Sequence, residues 1–473
     1  MAGTEAFPDF RGLHGVGAGD QRQHATALEQ ASGEYASIAG ALSWRALVAR
    51  MEVEGFLTGL LTSGTDPTIE GARELGGASV FAAVGLRRWA DAIEVFDGAV
   101  ATLNRTFDAR VEERLTTQGN TESYQEIRSA VERQLRPSYE RAEDDLRAVG
   151  DDVAAMLERG PDSASLSSML ESGEIPPSAL GLFAGIEVDE DILAVARARE
   201  TMDTLVTEGL LDGPVDEDSL YFQWLVNAGR RGVSINTIRD IVRDHDIGPD
   251  DFDVLDGLEE FVDRDDKSFF LLPDDIDGDA ARRSVLMTYI FNAGTDYGDA
   301  DRYSDTENDF AETPYSSAEV QRIIDRQEAN DWSYSQDVGF VHRNGGRLVT
   351  TPNGIMMGLG GNWLQGLFSQ KGGTAWGDTF MVNIDDPDDA GEVLRDIVES
   401  GVRPINDSDR GPGGPGPQER DRLDLDRLLH HEERHSRQWA EHGHGGFLRR
   451  YIGEQLTGSN RTEEEAGLAD GGY

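Results

Sequence analysis

Seven apolar residues, Leu86, Trp89, Ile93, Phe96, Val100, Leu103 and Phe107, follow one another at alternating steps of three and four. Such spacing places them on one stripe of a helix, and a stripe of this kind is stable when laid lengthwise on another helix. The sequence therefore predicts a helical hairpin or bundle over residues 1–160. Packing partners are expected from Gln21 to Leu42 and from the segment after Ser43-Trp44-Arg45-Ala46, with Gly64 to Asp66 marking a turn.

The chain has 473 residues, of which 38% are hydrophobic, enough for a sizeable core and for roughly two to four domains. Its 90 acidic residues outnumber 43 basic ones, giving a formal charge of −47. Lys267 and Lys371 are the sole lysines, so nearly all positive charge is arginine. A surface this negative repels phosphate and argues against nucleic acid as a partner. The acidity runs through the whole chain, as expected of a halophilic proteome in which salt screens self-repulsion. Cysteine is absent, which removes disulfides, thiolate zinc ligands and cysteine nucleophiles. The start, MAGTEAFPDFRGLHG, lacks a basic segment followed by an apolar one, and no apolar run reaches membrane-spanning length. A soluble protein without an ordinary cleaved signal peptide is expected.

Further along, Gly160 to Pro177 is rich in Ser, Gly and Pro and reads as a linker or an exposed connection. A helical middle region over 161–334 follows, with periodicity from Ile186 to Gly213, Leu220 to Asp244 and Ala280 to Asn292. Two acidic stretches, Asp296 to Asp309 and Asp263 to Lys267, lack the ligand order and central glycine of an EF-hand and read as solvated loops. Past residue 335 the pattern turns to short β-type runs. Val338 to Val341 and Arg347 to Thr351, joined by Asn344-Gly345-Gly346, read as a hairpin, and Thr379 to Ile384 as another strand. The glycines of Gly358-Leu359-Gly360-Gly361-Asn362 are not followed by G-K-S/T, so the P-loop pattern fails and they read as turn and close-packing positions. Residues 406–418, NDSDRGPGGPGPQ, read as a mobile connection.

The chemistry is concentrated in Leu428-Leu429-His430-His431-Glu432-Glu433-Arg434-His435-Ser436-Arg437-Gln438-Trp439. On a helix His431 and His435 lie one turn apart on one side, where two imidazoles can meet one metal ion with Glu432 beside them, the H-E-x-x-H arrangement of zinc hydrolases. Asp424 or Asp426 can start that helix, Leu425, Leu428, Leu429 and Trp439 give it an apolar side, and Gly443 to Gly446 end it. Five of the nine histidines, His430, His431, His435, His442 and His444, fall in this helix and its exit. Catalytic zinc takes three protein ligands, so a third must come from elsewhere. Among Glu463, Glu464 and Glu465 we expect Glu463, although Asn460-x-x-Glu463 and Thr462-x-x-Glu465 also fit capping boxes. In such a site Glu432 serves as general base, and His442, His444, Tyr451 and Tyr473 are the polar candidates for an oxyanion donor. His430 reads as a helix-surface residue and Arg434 as a partner for a neighbouring acid.

Two resemblances follow. Trp44-Arg45-Ala46, the helix from Leu86-Arg87-Arg88-Trp89-Ala90 to Leu103-Asn104, and Tyr139-Glu140-Arg141-Ala142-Glu143 resemble the N-terminal region of WXG-type proteins exported by actinobacterial type VII secretion, with Ala46 where that family has glycine. The resemblance implies export without a signal peptide; the chain is otherwise expected to be cytoplasmic. Over roughly the last hundred residues, Thr374-Ala375-Trp376-Gly377-Asp378-Thr379-Phe380, HEERHSRQW and NRTEEEAGLADGGY resemble zincin-like metallopeptidase domains at the C-termini of bacterial secreted, toxin-like polymorphic proteins. That similarity implies zinc ligands at His431, His435 and Glu463 and a general base at Glu432. Many gluzincins have an acidic residue after E-x-x-A that supports a ligand histidine; this chain has Gly467 there. The expected fold is mainly α and multidomain: a WXG-like helical bundle over 1–160, a helical middle over 161–334 and a small α+β zincin-like domain over 335–473. The expected function is zinc-dependent hydrolysis of peptide bonds by an exported toxin-like effector. Its expected partners are a peptide or protein substrate, a secretion machinery and an immunity protein. The alternative is a non-enzymatic secretion or surface-assembly protein with a structural zinc site or no metal.

Overall fold

The computed structural model describes residues 18–52, 56–118, 121–183, 185–294, 314–359, 373–382, 389–404, 422–457 and 461–467. The acidic loop from Asp296 to Asp309, the connection over 406–418 and Tyr473 lie outside them. The described chain is mostly helical, with one mixed sheet of six strands and a pair of short strands. It divides into two compact units, Met1–Ala196 and Arg197–Tyr473.

In the first unit three long helices, α1 (Ala18–Glu52), α2 (Phe56–Thr116) and α3 (Tyr124–Arg159), carry most of the chain, and α2 packs against both others. The apolar stripe of α2 is the seam with α3: Ile93, Phe96 and Phe107 are buried against Tyr139, Leu146, Ile127, Val131 and Leu135 of α3. Two glycines let the helices close. A Cβ on Gly85 would sit 2.9 Å from Met156, and one on Gly150 2.9 Å from Trp89. The chain stays helical through Gly64 to Asp66, where a turn is expected from sequence. Glycine in a helix costs only about 1 kcal/mol, less than lengthwise packing on α1 returns. The expected linker from Gly160 to Pro177 is also structured. Gly160, at φ 78°, ends α3, and Asp162 caps α4 (Ser163–Glu171), whose Leu166, Met169 and Leu170 are buried against Phe81, Val84 and Met156. Its serines occupy cap and surface positions, so a polar composition conceals an amphipathic turn.

Helices α5 (Glu190–Thr207), α6 (Leu220–Arg230) and α7 (Ile235–His245) follow, the last two separated by a turn at Gly232 with φ 69°. Two strands missed by sequence come next, β1 (Glu259–Val262) and β2 (Ser268–Leu271), then α8 (Gly278–Phe291), α9 (Ser317–Ala329) and α10 (Asp331–Arg343). Val338 to Val341, expected as a strand, belong to α10, where Val338 and Val341 face the core one turn apart. Short apolar runs fit either period, and the Asn344-Gly345 stop ends a helix here rather than joining two strands. Strands β3 (Arg347–Thr350), β4 (Met356–Leu359), β5 (Gly373–Trp376) and β6 (Thr379–Val382) complete a sheet of order β1-β2-β3-β4-β6-β5, parallel between β4 and β6 and antiparallel elsewhere. The sheet thus draws two strands from the stretch expected to be wholly helical.

Side chains alternate across this sheet with the period of two that strands impose. Leu348, Met356 and Met381 pack with Ala281 and Val285 of α8 and with Tyr334, Val338 and Val341 of α10. Their neighbours Val349, Met357 and Phe380 pack on the other face against α11 (Ala390–Ser400) and the start of α12 (Leu425–Thr457). Short strands β7 (Val402–Pro404) and β8 (Arg422–Asp424) lead into α12. A two-residue turn, Gly377-Asp378, joins β5 to β6, with Gly377 at φ 58° and an added Cβ lying 2.7 Å from the Ser333 Cβ. Gly377→Ala should therefore lower the stability of the second unit by roughly 1–3 kcal/mol in urea unfolding, through overpacking and left-handed strain; an unchanged midpoint would contradict this packing.

Candidate metal centre

Helix α12 begins where Asp424 Oδ1 accepts the Arg427 N–H at 3.0 Å, and Leu425, Leu428 and Leu429 bury its first turns in the sheet core. His430 is 1% exposed, in the interior rather than on the helix surface as the sequence suggests. His431 and His435 are also buried, and their Nε2 atoms lie 3.1 Å apart. Gly443, with φ 64° and ψ 158°, breaks the helix as expected, and the chain turns helical again up to Thr457. It then enters the short helix α13 (Arg461–Ala466), which brings Glu463 back to the histidines. Glu463 Oε2 is 3.1 Å from His435 Nε2 and 3.4 Å from His431 Nε2. Its neighbours point elsewhere: Glu464 is exposed and Glu465 pairs with Arg450 and Arg461. Of the three candidate glutamates, only Glu463 meets the histidine pair.

Hydrogen bonds on the far side of each ring fix the chemistry on the near side. His431 Nδ1 is 2.8 Å from the carbonyl oxygen of Gly467, which can only accept, so Nδ1 carries the proton. His435 Nδ1 is 2.9 Å from Gln438 Oε1, and the amide of Gln438 is oriented because its Nε2 donates to Thr462 O at 2.9 Å. In a neutral imidazole the other nitrogen is then an acceptor. With both rings neutral, two ring lone pairs and a carboxylate oxygen converge on one point. Burial pushes the Glu463 carboxyl up, but the histidine nitrogens outweigh it and hold the group well below the usual carboxylate range.

The spacing fits zinc. Bonds of 2.0–2.1 Å in a tetrahedral shell put ligand atoms about 3.3 Å apart, and the three separations here are 3.1, 3.1 and 3.4 Å. Gly467, where many gluzincins have an acid, supplies its own carbonyl to His431 instead, from a backbone at φ 97° that favours glycine. No family model, curated protein or solved structure matches this chain. What the centre holds has to be read from its own donors.

Glu432, the expected base, follows His431 on the helix and is buried. The next residue, Glu433, was not singled out by sequence, yet it is 1% exposed and lies among three arginines, Arg322 at 3.0 Å, Arg437 at 2.8 Å, and Arg326 in direct contact. Arg326 also reaches Asp378 at 3.2 Å, and Asp378 accepts from Asn330 and Tyr334, both at 2.8 Å. Burial pushes the Asp378 carboxyl up against these donors. Asn330 donates to Ser436 O at 2.9 Å, and the Trp439 indole to Ala375 O at 3.0 Å. The helix is thus held by polar bonds along its length as well as by its apolar anchor. The i,i+4 spacing of Glu433 and Arg437 was a readable signal; nothing marked Arg326.

Among the oxyanion candidates, His442 accepts from Arg450 at 2.8 Å, His444 meets Trp332 edge-on and lies tilted against Trp439, and Tyr451 lies parallel to Phe447. A second group of acids, Asp263, Asp265 and Asp426, also converges. In the Asp263 turn Arg264, Asp265 and Asp266 are exposed as expected, while Asp263 and Lys267 at its ends are buried, and the cation there is the Lys267 ammonium, 2.7 Å from Asp426.

Burial pushes the Glu433 carboxyl up, and Arg322, Arg326 and Arg437 more than reverse it, holding it far below the usual range. A depressed folded-state pKa contributes stability above the unfolded value of about 4.3, lost as pH falls through the folded value. Glu433→Gln should lower stability near neutral pH by about 3–5 kcal/mol, as expected for a broken buried pair. The difference from the native chain should narrow below about pH 4 in urea titrations. An equal loss at all pH values would show that the charge of Glu433 is not what matters.

Proposed function

We propose that the protein is a zinc-dependent peptidase, with zinc held by His431, His435 and Glu463. The observation that carries this is the convergence of three acceptor atoms, each Nδ1 proton being committed elsewhere. Bound zinc would polarise the scissile carbonyl and lower the pKa of a water towards about 7. Glu432 follows His431 in the motif and takes the proton of the attacking water, passing it to the leaving amine. Peptide bonds are the proposed substrate because the H-E-x-x-H helix and its distant glutamate are the donor set of zinc peptidases.

Export as a toxin-like effector is part of this proposal and rests on the WXG-like segments, whose backbones lie in α1, α2 and α3. Among the described residues no helix is long and apolar enough to cross a membrane.

A second reading is favoured by one observation: the three donors come from two separate helices, so zinc would also staple α13 to α12. Under that reading the metal is structural. The two separate in one set of variants. Native protein, purified in high salt, should carry about one zinc per chain by elemental mass spectrometry, lost in His431→Ala, His435→Ala and Glu463→Ala. Glu432→Ala should keep metal and fold while hydrolysis of a peptide library falls by a factor of 100 or more, on the order expected for a lost general base. No zinc in native protein after zinc is offered would overturn the proposal, and zinc with no hydrolysis would favour the staple.

A further inference from the structure

Glu463 sits on a helix of six residues, too short to hold its own position. Its placement must come from the neighbouring α12. Thr462, just before it, is gripped at both backbone groups: its N–H donates to Glu454 Oε2 at 3.0 Å, and its carbonyl accepts from Gln438 Nε2 at 2.9 Å. Gln438 is buried, and the other end of its amide accepts the Nδ1 proton of His435 at 2.9 Å. One side chain thus joins a histidine of the centre to the segment that delivers the carboxylate.

We propose that Gln438 is a positioning residue of the metal centre: it fixes which nitrogen of His435 faces the metal and ties that choice to the seating of Glu463. The inference rests on the zinc reading above. An amide suits the task because it donates at one end and accepts at the other. A glutamate would accept from His435 but set a second acceptor against the Thr462 carbonyl. A methionine of similar length would do neither, leaving a buried N–H on His435 without its acceptor and free to change tautomer.

The test compares the full native chain with Gln438→Met and Gln438→Glu. Zinc affinity is read by chelator competition, ligand geometry by the visible spectrum of the cobalt(II) form, and seating of 461–467 by amide hydrogen exchange in the zinc-loaded protein. Gln438→Met should bind zinc roughly 10–100-fold more weakly, the loss typical when a partner of a ligand histidine is removed, with an altered cobalt spectrum. Exchange across 461–467 should rise in both variants, and the affinity of Gln438→Glu should fall between the other two. Unchanged affinity or unchanged exchange in Gln438→Met overturns the proposal while native zinc binding leaves the zinc reading standing. Should Gln438→Met not fold, unchanged exchange in Gln438→Glu overturns it alone. A native chain that binds no zinc overturns both.

Discussion

Three electron-pair donors cannot share a buried point without a cation between them. His431, His435 and Glu463 are brought to separations of 3.1–3.4 Å, and the Nδ1 protons of the two rings face Gly467 and Gln438, away from the point where the three meet. Much of the second unit serves to hold that unfavourable geometry. The three leucines at the start of α12 lock its apolar side to the sheet, and the Glu433 cluster locks its polar side to α9 and to the β5–β6 turn. A centre that repels itself when empty needs such a frame, since any slack would be taken up by the ligands moving apart.

The adjacent glutamates of the motif divide the work by environment. Glu433 is encircled by Arg322, Arg326 and Arg437 and is fixed as an anion in the interior, where its charge is compensated on all sides. Glu432, one residue earlier, is turned about a hundred degrees around the helix axis from it, and the three arginines pair with Glu433. The neighbours of each residue, rather than its identity, set its role. The same holds for the trio 463–465, in which Arg450 and Arg461 take Glu465 and leave Glu463 for the centre.

The legible parts of the chain were those written in a single helical period. The stripe from Leu86 to Phe107 lies on α2, and His431 and His435 meet because four residues make about one turn. The cap at Asp424 and the break at Gly443 could be read from residue type alone. Four-residue strands could not: β1 presents one apolar side chain inward, and β2 has three successive buried residues, so neither offers an alternation to detect. Val338 to Val341 misled for the same reason, being too short to separate two periods. Burial of Lys267 was invisible because its partner, Asp426, is distant in sequence. Gln438 and Arg326 belong with it, since an unmarked polar residue becomes informative only when both of its ends are seen to be occupied.

Zinc held by two imidazoles and a carboxylate has a distinct signature in zinc K-edge X-ray absorption of the native chain. A four-coordinate shell of two imidazole nitrogens and oxygen donors at about 2.0–2.2 Å is expected. A shell of oxygen alone, or imidazole scattering that persists undiminished in the His431→Ala, His435→Ala double variant, would contradict it.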